Sequence, residues 1–104
     1  MGSSDPVVIV GMARTAMGGL MGDFADTSAT DLGAAAIRGA LSRAGLSPDA
    51  VDEIVMGCVL SAGQGQAPAR QAGLKGGLPL SAGATTINKM CGSGMKTVMM
   101  ACDA

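Results

Sequence analysis

Asn88-Lys89-Met90-Cys91-Gly92-Ser93-Gly94-Met95-Lys96 is the stretch around which the 104-residue chain is organised. A short β-type run, Ala84-Thr85-Thr86-Ile87, leads into it, and a helix-forming run from Met95 to Ala104 leads out. Strand, glycine turn and helix in that order place Cys91 at a helix start. The free backbone N–H groups and the helix dipole favour negative charge there. Thiolate is the reactive form of cysteine, so a thiol in this setting is a candidate nucleophile. Gly92 and Gly94 remove Cβ atoms beside the sulfur and allow a carbonyl group to come close. Spacing alone leaves a second reading open, that of a small cysteine packed into a glycine-rich helix entry.

Outward from this stretch the chain alternates between strand-like and helix-like patterns. Met1 to Pro6 is polar and reads as a frayed end. Val7-Val8-Ile9-Val10 is a continuous β-branched run, as expected of a strand buried on both faces of a parallel sheet. The following segment, with Gly18-Gly19-Leu20-Met21-Gly22, lacks the dinucleotide fingerprint and the Gly-Lys-Ser/Thr of a phosphate loop, and reads as a surface loop. Thr30 is a helix N-cap candidate, with Asp31 in the first turn. Leu32, Ala36, Ile37, Ala40, Leu41 and Ala44 share an apolar face suited to lying on a sheet, and Gly45 ends that helix. Ser47-Pro48 begins another turn.

Glu53 to Leu60 reads as a second buried strand, with Cys58 inside it as inert packing. Ser61 to Gln66 is a loop, and Ala67 to Lys75 is a helix with Pro68 near its start and Gly76-Gly77 at its end. Leu78-Pro79 leads to the third strand before Cys91. The last helix is apolar nearly all round, through Met95, Val98, Met99, Met100, Ala101 and Cys102, and such a helix is expected to be buried. Three strands alternating with helices predict a βαβαβα order, hence an α/β fold with a mostly parallel sheet and right-handed crossovers.

Composition narrows the function classes. With one aromatic residue, Phe24, the core has to come from small and aliphatic side chains and the nine methionines. A net charge of −1, from seven basic and eight acidic residues without a basic cluster, gives no nucleic-acid footprint. Three cysteines, Cys58, Cys91 and Cys102, are an odd number without close pairs, which argues against a disulfide framework and for a reducing, cytoplasmic setting. No histidine is present, so a Cys/His metal site is not expected. No apolar run reaches the ~18 residues of a membrane span, and no signal-peptide pattern opens the chain. Met1-Gly2 suggests myristoylation, but Pro6 stands where that motif needs Ser or Thr.

The residues around Cys91 carry more than their spacing. Asn-Lys-Met-Cys-Gly-Ser-Gly-Met-Lys resembles the nucleophile segment of the thiolases, and other stretches follow the same family's order. Ala13-Arg14-Thr15 matches the end of its first strand. Gln66-Ala67-Pro68-Ala69-Arg70-Gln71 resembles its Gln-Asn-Pro-Ala-Arg-Gln, with Ala67 lacking the amide side chain. The resemblance implies that residues 1–104 are the N-terminal part of a thiolase N-terminal domain, without loop domain or C-terminal domain. It implies that Cys91 is the nucleophile and carries an acyl-thioester intermediate, with its backbone N–H a candidate oxyanion donor. The implied reaction joins two acetyl-CoA molecules into acetoacetyl-CoA and CoA by a ping-pong route. The alternatives are a longer-chain 3-ketoacyl-CoA thiolase and a non-catalytic, thiolase-like interaction chain. CoA and acyl-CoA are then substrates, with no cofactor or metal, and the subunit assembles as a homodimer or homotetramer. A histidine, a second cysteine and the CoA-binding residues are implied to lie in segments other than this one.

Overall fold

A computed structural model describes residues 6–104; the readings made on Met1–Asp5, the frayed end and the Met1-Gly2 motif, lie outside the described residues. The elements in order are helix α1 (Ala29–Ala44), a 3₁₀ turn (Pro48–Ala50), strand β1 (Glu53–Gly57), helix α2 (Pro68–Lys75), strand β2 (Gly83–Ile87) and helix α3 (Ser93–Asp103). The fold is α/β, as expected. β1 and β2 pair in parallel, from Glu53 opposite Gly83 to Gly57 opposite Ile87, with α2 as the crossover between them. Cys58 N–H donates to Ile87 O at 2.9 Å and carries the ladder one step past β1.

Two expectations about the sheet are corrected. Val7–Val10 is not a strand: its side chains are 62–73% exposed, and the described sheet has two strands, not three. β-branched residues favour extended backbone, but a strand exists only when a neighbouring edge is available to pair with. The residues that follow it are held by α1 instead. Arg43 Nη1 donates to Met12 O at 2.8 Å, and a Cβ on Gly11 would lie 2.7 Å from Ala40 O. Strand β1 also stops at Gly57, not Leu60, so Cys58 lies just beyond it.

α1 is capped by Ser28, not by Thr30. Ser28 adopts extended backbone and its hydroxyl accepts from Asp31 N–H at 3.1 Å, satisfying one of the free donors of the first turn. Thr30 is buried at the second helical position, where its hydroxyl accepts from Lys75 Nζ at 2.8 Å. Lys75 also pairs with Asp31 at 2.9 Å. The helix ends as expected, at Gly45 in the left-handed region with φ 68°. It packs chiefly on α2, not on the sheet, which it touches where Gly33 meets the Met56 side chain. Small residues permit that approach: a Cβ on Gly33 would lie 3.1 Å from that of Ala72. The buried apolar residues are accordingly Ala34, Ala69, Ala72, Leu78 and Ala82.

α2 starts at Pro68, after Ala67 at φ 45°, and Ala67 offers no capping side chain. The hydroxyl of Thr86 on β2 substitutes, accepting from Ala69 N–H at 2.9 Å. α3 packs against β1. Its Met95, Val98 and Met99 are 53–74% exposed, so the burial expected from its composition is not reached within residues 6–104.

Candidate active site

Between the end of β2 and the start of α3 the chain makes a tight turn whose hydrogen bonds are almost all internal. Asn88 Oδ1 accepts from Met90 N–H at 2.9 Å, and Asn88 Nδ2 donates to Val59 O at 3.3 Å, tying the turn to the segment after β1. Lys89 N–H donates to Ser93 Oγ at 2.8 Å, and that hydroxyl donates to Met90 O at 2.6 Å. Ser93 N–H reaches the same carbonyl at 3.0 Å, and Gly92 N–H donates to Lys89 O at 3.0 Å. Cys91 pairs with Lys89 in an isolated parallel bridge, and among the described residues its N–H has no acceptor within hydrogen-bond distance. Met90, just before it, is held at φ 50°, a left-handed conformation that costs a non-glycine residue on the order of 1 kcal/mol or more.

Cys91 is exposed at the crest of this turn, one residue before the Gly92 cap of α3. The helix begins at Ser93 rather than Met95, which brings the cysteine within one residue of its N-terminus. A substrate carbonyl could therefore meet a free sulfur, an unpaired N–H and the positive end of a helix dipole together. The other two cysteines have different surroundings. Cys58 is half-buried, with its thiol donating to Gln64 Oε1 at 3.7 Å, and Cys102 is half-buried along α3.

Ser93 was not singled out by the sequence reading, yet it is the buried residue on which the turn closes. It sits against Gly57, where an added Cβ would lie only 2.6 Å from Ser93 Cβ. The signal available in the sequence was a serine two positions after the cysteine, among glycines. Arg70 and Gln71 prove to be structural. Arg70 donates to Ala82 O and Leu80 O at 2.6 and 2.9 Å, and Gln71 Nε2 donates to Gln64 O and Gln66 O at 2.7 and 2.6 Å. Arg14 and Thr15 bond only to neighbouring backbone and do not join the site. Among the described residues no group of side chains could hold a metal ion, and no helix is long and apolar enough to cross a membrane.

Residues 7–104 match the family described as thiolase, N-terminal domain. The chain belongs to the thiolase family. It is 56% identical over 98 residues to acetyl-CoA acetyltransferase of Cupriavidus necator, covering 94% of this chain and 25% of that protein. With acetyl-CoA acetyltransferase 2 of Arabidopsis thaliana it shares 57% identity over 95 residues, 91% of this chain and 24% of that one. Among solved structures, the Acat5 thiolase of Ascaris suum in complex with coenzyme A superposes with a TM-score of 0.88 at 38% identity, over 92% of this chain and 25% of that one. Acetyl-CoA acetyltransferase from Syntrophomonas wolfei gives 0.87 at 43% identity, over 92% and 24%. This thiolase chain thus spans about a quarter of the length of the relatives it matches.

Proposed function

We propose that this chain is the nucleophile-bearing part of an acyl-CoA C-acyltransferase that reversibly condenses two acetyl-CoA molecules to acetoacetyl-CoA and CoA. The observation that carries the reading is Cys91, exposed at the head of α3 with its own N–H unpaired. The acetyl preference, rather than the longer-chain alternative, rests on relatives named acetyl-CoA acetyltransferase.

The Cys91 thiolate attacks the thioester carbonyl of the first acetyl-CoA. A C–S bond forms, the carbonyl electrons move to oxygen, and collapse of that oxyanion expels CoA as thiolate and leaves acetyl-Cys91. A second acetyl-CoA, deprotonated at its α-carbon, attacks the acetyl group. The new C–C bond forms as the C–S bond to Cys91 breaks, and the thiolate returns. Each tetrahedral oxyanion accepts a hydrogen bond from Cys91 N–H, and removing one such donor typically costs about 10²–10³ in rate.

The chain has no histidine. The base that takes the Cys91 proton and the acid–base group at the substrate α-carbon are therefore assigned to the part of the subunit beyond the matched quarter. A complete subunit, working in the cytoplasm as a homodimer or homotetramer, would bring these groups to Cys91. CoA is a substrate here and not a resident cofactor. The test is steady-state thiolysis of acetoacetyl-CoA by a complete subunit, residues 1–104 joined to the remainder of the C. necator relative. The joined protein should turn over and its Cys91→Ala variant should not. Turnover by the Cys91→Ala variant would overturn the proposal.

A further inference from the structure

We propose that Ser93 is a positioning residue for acyl transfer: it locks the Met90–Cys91 peptide so that Cys91 N–H stays aimed at the reacting carbonyl. The inference deepens the acyl-transfer reading and rests on it. A trans peptide is planar, and its C=O and N–H point in opposite directions. Whatever pins Met90 O therefore also fixes where Cys91 N–H points.

Two donors, both from Ser93, pin that carbonyl: the hydroxyl at 2.6 Å and the backbone N–H at 3.0 Å. The same hydroxyl accepts from Lys89 N–H at 2.8 Å, so one oxygen bridges both flanks of Met90. The Met90–Cys91 peptide is oriented by ψ of Met90 and φ of Cys91, two soft torsions that would let it flip if nothing held its carbonyl. A flip would turn Cys91 N–H away and present a carbonyl oxygen to a developing negative charge. Ser93 is only 5% exposed, and it is seated against Gly57 at the end of β1, where no larger residue leaves it room. The sheet thus holds the serine, the serine holds the peptide, and the peptide aims the donor.

The test compares Ser93→Ala with the unsubstituted complete subunit in two reactions of the same thiol. Acylation of Cys91 by acetyl-CoA passes through an oxyanion. Alkylation by iodoacetamide displaces iodide at a saturated carbon and forms no oxyanion at the attacked atom. Loss of an aimed donor is expected to slow acylation by about 10²-fold and to leave the alkylation rate within about twofold, with the KM for acetyl-CoA little changed. Equal losses in both reactions would show that Ser93 acts through folding or thiol reactivity, and would overturn the proposal. Unchanged acylation in Ser93→Ala would overturn it as well. If the unsubstituted subunit itself forms no acetyl-Cys91, the acyl-transfer reading fails, and this inference with it. Acylation that is intact but indifferent to Ser93 sinks this inference alone.

Discussion

Gly57→Ala asks the most of the geometry around Cys91. The added Cβ would lie 2.6 Å from Ser93 Cβ, 2.9 Å from Ser93 C and 3.2 Å from Gly94 N. Carbon atoms in contact rest at roughly 3.5–4.0 Å, so β1 and the first turn of α3 must separate by about 1 Å. Two of the three close atoms are backbone at the head of a helix, which cannot turn aside as a flexible side chain would. Overpacking of this kind costs about 1–3 kcal/mol, and the rigid neighbours place this case at the upper end. The displacement also falls on the turn that carries Cys91, where a 1 Å misplacement costs about 10² in rate. The assay is urea unfolding of the complete subunit, read as a lower midpoint at unchanged slope, together with the rate of Cys91 acylation. Gly83→Ala is the control on the neighbouring strand, because its Cβ would meet Glu53 only at an ordinary 3.8 Å. If Gly57→Ala stays within about 0.5 kcal/mol of the unsubstituted protein, the size of effect usual for a harmless surface change, the packing argument is refuted.

Iodoacetamide added in limiting amount should label Cys91 before Cys58 or Cys102, because only Cys91 is exposed; peptide mapping that finds either of the others first would count against its assignment. Ala67→Gly should raise stability by about 1 kcal/mol, since Ala67 holds φ 45° and left-handed backbone penalises a Cβ; a lower urea midpoint would contradict this. The Asp31 carboxyl is held below its ordinary value of 3.8, first by its hydrogen bond with Lys75 and next by the Ser28 hydroxyl. A carboxyl whose folded value is depressed adds stability above its unfolded value and loses it as pH falls through the folded one. The stability gap between Asp31→Asn and the unsubstituted protein should therefore be open at neutral pH, begin to narrow near pH 3.8 and close as pH falls further through the lower folded value; a gap that does not narrow at all would disprove the pairing.

How much of this was legible in advance depended on how far apart the interacting residues lie in the chain. Gly45, the Ser47-Pro48 turn, the Pro68 helix start and the strand before Cys91 all follow from local rules, and each stands where those rules put it. The α1 cap was misplaced because Ser28 and Thr30 are both chemically able to cap. Thr30 is diverted by Lys75, 45 positions away, and no local pattern reports that. Val7–Val10 has the composition of a strand, but pairing is a property of two segments and the described residues supply no second one. Cys91 was visible through its glycines and the residues around it. The device that aims its N–H was not, because it joins Ser93 to Gly57 across 36 positions and depends on a contact too close for any Cβ.

Cys91 is the proposed acceptor of the acyl group, and trapping the group there is the decisive measurement. The complete subunit is incubated with acetyl-CoA, quenched in acid and digested, and the acetyl group is located by mass spectrometry. The expected result is one acetyl group per subunit, on the peptide containing Cys91, removed again when free CoA is added before the quench. An acetyl group on another residue, or none on Cys91 while thiolysis proceeds, would contradict it.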